Sequence, residues 1–141
     1  MPALLGANRP RVGVLNYVPD EDGKMRRQPL LHASGGLVLP SLPLATFLLA
    51  ARVREPLEQR DGRLHAGIHS WPVTDSGEVL LRFPSNLREV PTISAHRVAL
   101  AAFGVRADPE LSRLVRDRVV FIGNSSAAAG PVTDTPNGRI S

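Results

Sequence analysis

Cysteine is absent from the 141-residue sequence, and aromatic residues make up only 4% of it. Without cysteine, disulfides, thiolate metal sites and cysteine nucleophiles are excluded, while the cellular compartment stays open. The net charge is +4, but the arginines that dominate it are scattered and form no basic block or helical stripe. Because aromatic side chains that stack on bases are also scarce, we do not expect nucleic-acid binding.

An uncharged stretch of 19 residues from Ala33 to Ala51 approaches the length of a membrane span. Glycines and prolines interrupt it, so a helix can begin only near Ser41 and reaches about 16 Å, half of a bilayer core. We therefore predict a buried amphipathic helix there and no membrane span. No signal peptide is visible in residues 1–8, so the chain is either cytosolic or a piece of something longer.

An apolar content of 43% in a chain of this length predicts one domain with an aliphatic core. Alternating or continuous apolar runs predict five strands, at Arg11–Tyr17, Met25–Ala33, Leu64–Ile68, Val79–Phe83 and Val119–Ile122. The first two are expected to pair across an acidic turn from Asp20 to Gly23, and the next two to form a second hairpin-like unit. The last run is typical of a strand covered on both faces.

Capping residues predict three helices. Ser41 begins a helix to Ala51 with a stripe of Leu44, Phe47, Leu48 and Ala51, Ser94 begins one that runs to Phe103 and ends at Gly104, and Asp108 with Pro109 begins a third. The charged link from Arg52 to Gly62 is predicted to be flexible. The fold class is therefore α/β, with a mixed sheet of about five strands and about three helices packed on it.

The loop from Gly123 to Ala127 follows a predicted strand, as loops that bind phosphate do. It lacks both the dinucleotide-binding glycine pattern and the Gly-Lys-Ser/Thr of a P-loop. It is not a nucleophile elbow either, because Ala127 stands at the second glycine position. A plain loop at a strand end and an anion site both remain open.

Asp20 and Asp22 before Gly23 are reminiscent of a calcium loop. Aligned on that glycine, the first and last ligand positions of an EF-hand fall on Val18 and Pro29, which excludes it. The alternatives are a looser cation site and a solvated turn, in which the carboxylates pair with the following arginines, Arg26 and Arg27.

Histidines at positions 65 and 69 have the spacing of zinc ligands on a helix. The surrounding residues indicate a strand, where this spacing separates the two by roughly 13 Å, too far to share a metal. His32 and His96 stand alone. We predict no metal site, no cofactor and no catalytic residues, since no nucleophile, base and orienting acid occur together.

Five motifs follow one another over almost the entire chain. The first two are a Val-Gly strand that contains an Asn, and an Asp-x-Asp-Gly turn that is followed by basic residues and Pro-Leu. The other three are a Pro-Ser-Leu helix start, an Ile-Ser before a helix, and a valine-rich strand that runs into Ile-Gly and has an Asp-Thr-Pro after it. In this order they resemble the type-two CHASE domain, a sensory extracellular module associated with cyclases and histidine kinases. The residues that carry the resemblance are Val12, Gly13, Asn16, Asp20, Asp22, Gly23, Arg26, Arg27, Pro29, Leu30, Pro40, Ser41, Leu42, Ile93, Ser94, Val119–Gly123, Asp134, Thr135 and Pro136.

The resemblance implies a non-catalytic sensor on the outer side of the cytoplasmic membrane. It would pass a small-molecule or environmental signal through covalently attached membrane helices to an output domain, a cyclase, a histidine kinase or a Ser/Thr kinase, and a homodimer is possible. Family members usually carry an earlier half of the domain and flanking membrane helices, so the chain resembles the second half, an incomplete domain. Sheet edges would then be uncovered, and we expect poor behaviour of the isolated chain.

Ligands of an α/β sheet usually bind beyond the carboxyl ends of its strands. This rule places candidate ligand-binding residues after the last strand, at Asn124, Ser125 and Asp134. Asn16, Asp20 and Asp22 border the same end only if the first strand runs parallel to the last. Asp22 with Gly23 has the alternative of pure turn chemistry.

Two rival hypotheses remain. One is a small cytosolic α/β enzyme that binds an anionic substrate at the loop from Gly123 to Ser126. The other is a structural segment that has no ligand and transmits only strain from a partner or the membrane.

Overall fold

The computed structural model describes residues 12–83, 91–123, 133–135 and 138–140. In chain order the elements are β1 (Arg27–Pro29), β2 (Leu31–Ser34), β3 (Leu37–Pro40), α1 (Leu42–Ala50), β4 (Leu57–Arg60), β5 (Arg63–Ala66), β6 (His69–Pro72), β7 (Glu78–Leu80), α2 (Ala95–Ala102), α3 (Pro109–Val115), β8 (Thr133–Thr135) and β9 (Gly138–Ile140). Within these ranges no helix has the length and apolar content to cross a membrane.

The predicted α/β class with three helices is confirmed, but the strands form several small sheets instead of one mixed sheet. β1 pairs with β7, β2 with β3, β8 with β9, and β4, β5 and β6 form a three-stranded sheet. All these pairs are antiparallel. The reason is local: β2 to β3, β4 to β5 and β5 to β6 are joined by two-residue turns, whereas parallel pairing needs a crossover of a dozen residues or more.

The three helices begin at the predicted capping residues. The hydroxyl of Ser41 accepts a hydrogen bond from the N–H of Leu44, and Ser94 and Asp108 cap α2 and α3 in the same way. Gly104 follows α2 with φ of +69°, a conformation that glycine adopts without strain. Helix boundaries were predictable here because each cap involves only neighbours in sequence.

The core lies between α1 and one face of the three-stranded sheet. Its buried residues are Leu30, Leu44, Leu48, Val53, Leu57, Leu64 and Ala66, and the half-buried Leu31, Phe47, Trp71, Val73 and Val79 pack against them. Full burial of each leucine contributes roughly 1.5–3 kcal/mol to folding. Ala51, predicted in the buried stripe of α1, is exposed at the helix end.

The acidic turn is confirmed, but the hairpin expected around it is not. The N–H of Gly23 donates to the carbonyl of Asp20 over 2.8 Å, and Gly23 has φ of +77°. In the expected strand from Arg11 to Tyr17, the described residues 12–17 make one bridge, from Val14 to Ser41, which is parallel. Residues 12–14 therefore lie beside the start of α1, where the N–H of Leu42 donates to the carbonyl of Val14.

Three other predictions, one of a flexible link and two of strands, are corrected. The link from Arg52 to Gly62 contains β4, whose Leu57 is only 4% exposed and packs in the core. The segment at Val79 pairs with β1 and not with the strand at Leu64. At the two ends of this pairing, the N–H of Leu30 donates to the carbonyl of Gly77 over 3.2 Å, and the N–H of Leu81 donates to that of Arg26 over 2.8 Å. Residues 119–122 form no strand, since no described segment hydrogen-bonds along them, and they are exposed.

Candidate functional site

The carboxylates of the acidic turn are neutralised by the arginines that follow them. Arg26 forms two parallel hydrogen bonds to Asp22, of 2.8 and 2.7 Å, and a third to Asp20 of 3.0 Å. Arg27 donates to the other oxygen of Asp20 over 2.9 Å. The guanidinium of Arg26, followed by the backbone N–H of Lys24, lowers the pKa of Asp22 to about 2.

This arrangement agrees with a solvated turn in which the carboxylates pair with arginines. Among the described residues, no group of three or more His, Asp or Glu side chains is placed to hold a metal ion. Asn16 is held through its backbone. Its carbonyl accepts a hydrogen bond of 2.8 Å from the side chain of the buried Gln28. The Asn16 side chain is exposed.

Of the other predicted ligand residues, only the backbone of Asp134 is described by the structure. Asn124 and Ser125 lie outside the described residues. The backbone of Asp134 belongs to β8 and pairs with Arg139 of β9. A binding role for these residues stays a prediction.

The two closely spaced histidines lie on different strands, and the prediction that one strand carries both is wrong. A turn at Gly67 and Ile68 separates them, so that His65 pairs with Ser70 and His69 pairs with Ala66. Adjacent pairs of an antiparallel ladder point to opposite faces. The histidine side chains therefore point away from each other.

A groove of about 540 Å³ runs between α1 and the segment that carries β6 and β7. Its volume is within the range of small-molecule sites, which are mostly apolar with a few polar groups. The groove is lined by Leu30, Pro43, Leu44, Phe47, Trp71, Pro72, Val73, Thr74, Glu78, Val79 and Leu80. Buried leucines form its floor, and two aromatic rings form one wall.

The aromatic wall is held by ring contacts between α1 and β6. The ring of Phe47 meets those of His69 and Trp71 edge to face, with centroids 4.9 and 5.1 Å away. His69 and Trp71 stack loosely at 6.3 Å, because residues two apart on a strand share one face. Such contacts stabilise by about 0.5–1.5 kcal/mol per aromatic pair beyond area burial, so they contribute to holding the rings of the wall in place.

The polar end of the groove is a hydrogen-bonded turn. The N–H of Glu78 donates to the hydroxyl of Thr74 over 3.1 Å, and its carboxylate accepts from the hydroxyl of Ser76 over 3.0 Å. Among the described residues no basic side chain forms an ion pair with Glu78. Glu78, a half-buried residue, is thus the charged residue among the described residues that line the groove.

A second cavity of about 550 Å³ lies between α2 and α3, but its main charges are already paired. Arg97 contacts Asp108 at 2.5 Å and Glu110 at 2.7 Å. Arg97, and next the N–H of Leu111, lower the pKa of Asp108 to about 2. These charged side chains already pair with one another and join the two helices. The groove beside Trp71, whose charged residue has no such partner among the described residues, is therefore the stronger candidate for a ligand site.

Sequence reasoning missed the groove. Phe47 was placed correctly in the apolar stripe of α1, but nothing local connects it with Trp71 or Glu78. The one available signal was that Trp71 is the only tryptophan of a chain poor in aromatic residues. The charge of Glu78 carried no signal, since exposed glutamates are common.

Comparison with known proteins identifies one family. A family model described as the CHASE2 domain matches residues 2–141, essentially the whole chain. No curated protein and no solved structure matches. The matched span includes the acidic turn, the starts of all three helices and every residue that lines the groove.

Proposed function

The chain belongs to the CHASE2 domain family, and from this premise we propose that it is the extracytoplasmic input domain of a membrane-bound signalling protein. CHASE2 is a sensory extracellular domain family of signalling proteins, so the proposed role of the chain is sensory and not catalytic. The output domain is proposed to be an adenylate or guanylate cyclase, a histidine kinase or a Ser/Thr kinase. The match over residues 2–141 is the single observation that carries this proposal.

The groove supports a mechanism in which a ligand shifts a population. A ligand that contacts both α1 and β7 favours the packing in which the distance between these two elements fits the bound ligand. A preference of about 1.4 kcal/mol for one packing changes the ratio of the two states tenfold. α1 is joined to the preceding chain by backbone hydrogen bonds, Leu42 to Val14 and Ser41 to Leu30, both 2.8 Å. A shift of α1 therefore moves residues 12–14 with it.

The enzyme hypothesis receives no such support. It depends on the loop from Gly123 to Ser126, of which only Gly123 lies within the described residues. Family membership favours a sensory role over the enzyme hypothesis.

The test starts with the complete coding region in which this chain is encoded. Apolar spans of about 20 residues on its flanks, with a cyclase or kinase domain beyond them, are the expected result. Fusions of alkaline phosphatase and β-galactosidase at the position of this chain then report its side of the membrane. Active phosphatase and inactive galactosidase are expected. A reading frame without membrane spans, or the reverse fusion pattern, would overturn the proposal.

A further inference from the structure

We propose that the groove between α1 and the β6–β7 segment binds a small organic cation with an apolar body, of the arylalkylamine class. The inference rests on the proposed sensory function, since it names the chemical class of the signal. Three features of the groove carry it: an apolar floor, an aromatic wall, and one carboxylate without a basic partner among the described residues.

The floor and wall select an apolar body. Leu44 is 3% exposed and Leu30 6% exposed, so the floor belongs to the core and has a fixed shape. Phe47 and Trp71 are half-buried, and their exposed ring surface faces the groove. An aryl or alkyl group placed there buries apolar area at about 25 cal/mol per Å². This term is independent of the charge of the ligand.

Glu78 selects a positive charge. One carboxylate oxygen accepts from Ser76, and the other has no hydrogen-bond partner among the described residues. The turn holds the side chain through Thr74, whose hydroxyl lies 2.8 Å from that of Ser76. An ammonium group beside this oxygen forms a charge-assisted hydrogen bond. Trp71 lines the same groove, and the face of its ring attracts cations.

Two basic residues in and beside the strand that pairs with β7 form no ion pair with Glu78. Arg27 lies in β1, which pairs with β7, and Arg26 precedes it. Both guanidinium groups are occupied by the acidic turn, with three hydrogen bonds from Arg26 and one from Arg27. The acidic turn thus has an indirect role in the site, because it keeps two positive charges away from the carboxylate.

The experiment compares three ligands with one apolar body and different charges: phenethylammonium, phenethyl alcohol and hydrocinnamate. Each is titrated into the 141-residue chain, and the fluorescence of Trp71, the only tryptophan, reports binding. We expect the cation to bind at least about tenfold more tightly than the alcohol, as a charged hydrogen bond contributes, and the anion to bind most weakly. Equal affinities for all three, or no fluorescence change with the cation, would overturn the inference.

A matched pair of variants locates the charge effect. Glu78→Gln keeps the side-chain shape and the oxygen that accepts from Ser76, and it should weaken the cation about tenfold while leaving the alcohol unchanged. The control is Glu58→Gln. Glu58 is an exposed residue of β4 that pairs with His65, and its side chain points to the face of the sheet opposite that of Trp71. It should change neither affinity. The same loss of affinity for phenethylammonium in both variants would show a general charge effect and would contradict the proposed role of Glu78.

The outcome is separable from that of the proposed function. Circular dichroism of the unsubstituted 141-residue chain and of the two variants establishes that all three are folded before any affinity is compared. If the fusions place the chain outside the membrane but phenethylammonium does not bind, only the ligand assignment is wrong. If the cation binds but the fusions place the chain inside, the sensory proposal fails and the site stands.

Discussion

The ring of Phe47 stands edge-on to the ring of Trp71 at an interplanar angle of 88°, with centroids 5.1 Å apart. This contact joins the middle of α1 to β6 at the wall of the groove. Both residues also pack against the buried core cluster. The shape of the candidate ligand site therefore depends on core packing, and a ligand that moves Trp71 also moves α1.

Leu44→Ala should destabilise the chain by about 2–5 kcal/mol, because it leaves a cavity under α1 where a residue 3% exposed is removed. Leu49→Ala in the same helix is the control, since Leu49 is 54% exposed and its loss should cost less than about 1 kcal/mol. Urea unfolding of both variants measures the difference. Equal losses would contradict the assignment of the buried helix face.

Gly13→Ala should destabilise by about 1–3 kcal/mol through overpacking. A Cβ there would collide with the backbone Cα of Leu42 and would lie 2.9 Å from its nitrogen. Gly123→Ala is the matched control, because a Cβ at Gly123 meets no atom within 4 Å. In thermal unfolding, the midpoint temperature of Gly13→Ala should be lower than that of the unsubstituted chain, and the midpoint of Gly123→Ala should be unchanged. The opposite order would show that residues 12–14 do not lie against α1.

Thermal stability should fall as the pH drops from about 4 to about 2. The folded pKa of Asp108, about 2, lies below its ordinary value of 3.8, so its contribution is present above the ordinary value and is lost as the pH falls through the folded one. Asp22 acts in the same window.

Asp108→Asn retains a helix-capping side chain but removes the titrating charge, so its midpoint should depend less on pH in this window. Arg97→Gln, which removes the partner of Asp108, should flatten the profile in the same way. Midpoints measured across the window check both variants. A full pH dependence in both would contradict the ion pair as its source.

Ile122→Lys should reduce self-association of the chain. Ile122 is 93% exposed and follows Val119, Val120 and Phe121, which are 51–66% exposed, so the four form an apolar patch of the kind that associates. Ile68→Lys is a matched control, because Ile68 is 96% exposed but lies at a hairpin turn between Gly67 and His69. Light scattering should show a large effect for the first substitution and a small one for the second. Equal effects would argue against the patch.

The family and the starts of the helices could be read from the sequence, because both depend on local signals. Ser41, Ser94 and Asp108 each bond a backbone N–H three residues ahead, and such a contact forms wherever the chain turns into a helix. The acidic turn was equally local, with Gly23 at positive φ and carboxylates beside Arg26. Order and spacing of these motifs sufficed to identify the family.

The pairing of β1 with β7 and the groove were decided by tertiary structure alone. Alternation of apolar residues shows that a segment is extended, but it does not specify the partner, and β1 pairs with β7 about fifty residues away. The apolar run at residues 119–122 has the composition of a covered strand, yet no described strand pairs with it. Phe47 and Trp71 meet, and Glu78 lines the same groove, only because the core brings α1 against the segment of β6 and β7. Contacts between distant segments depend on the packing of the whole domain, which no local pattern encodes.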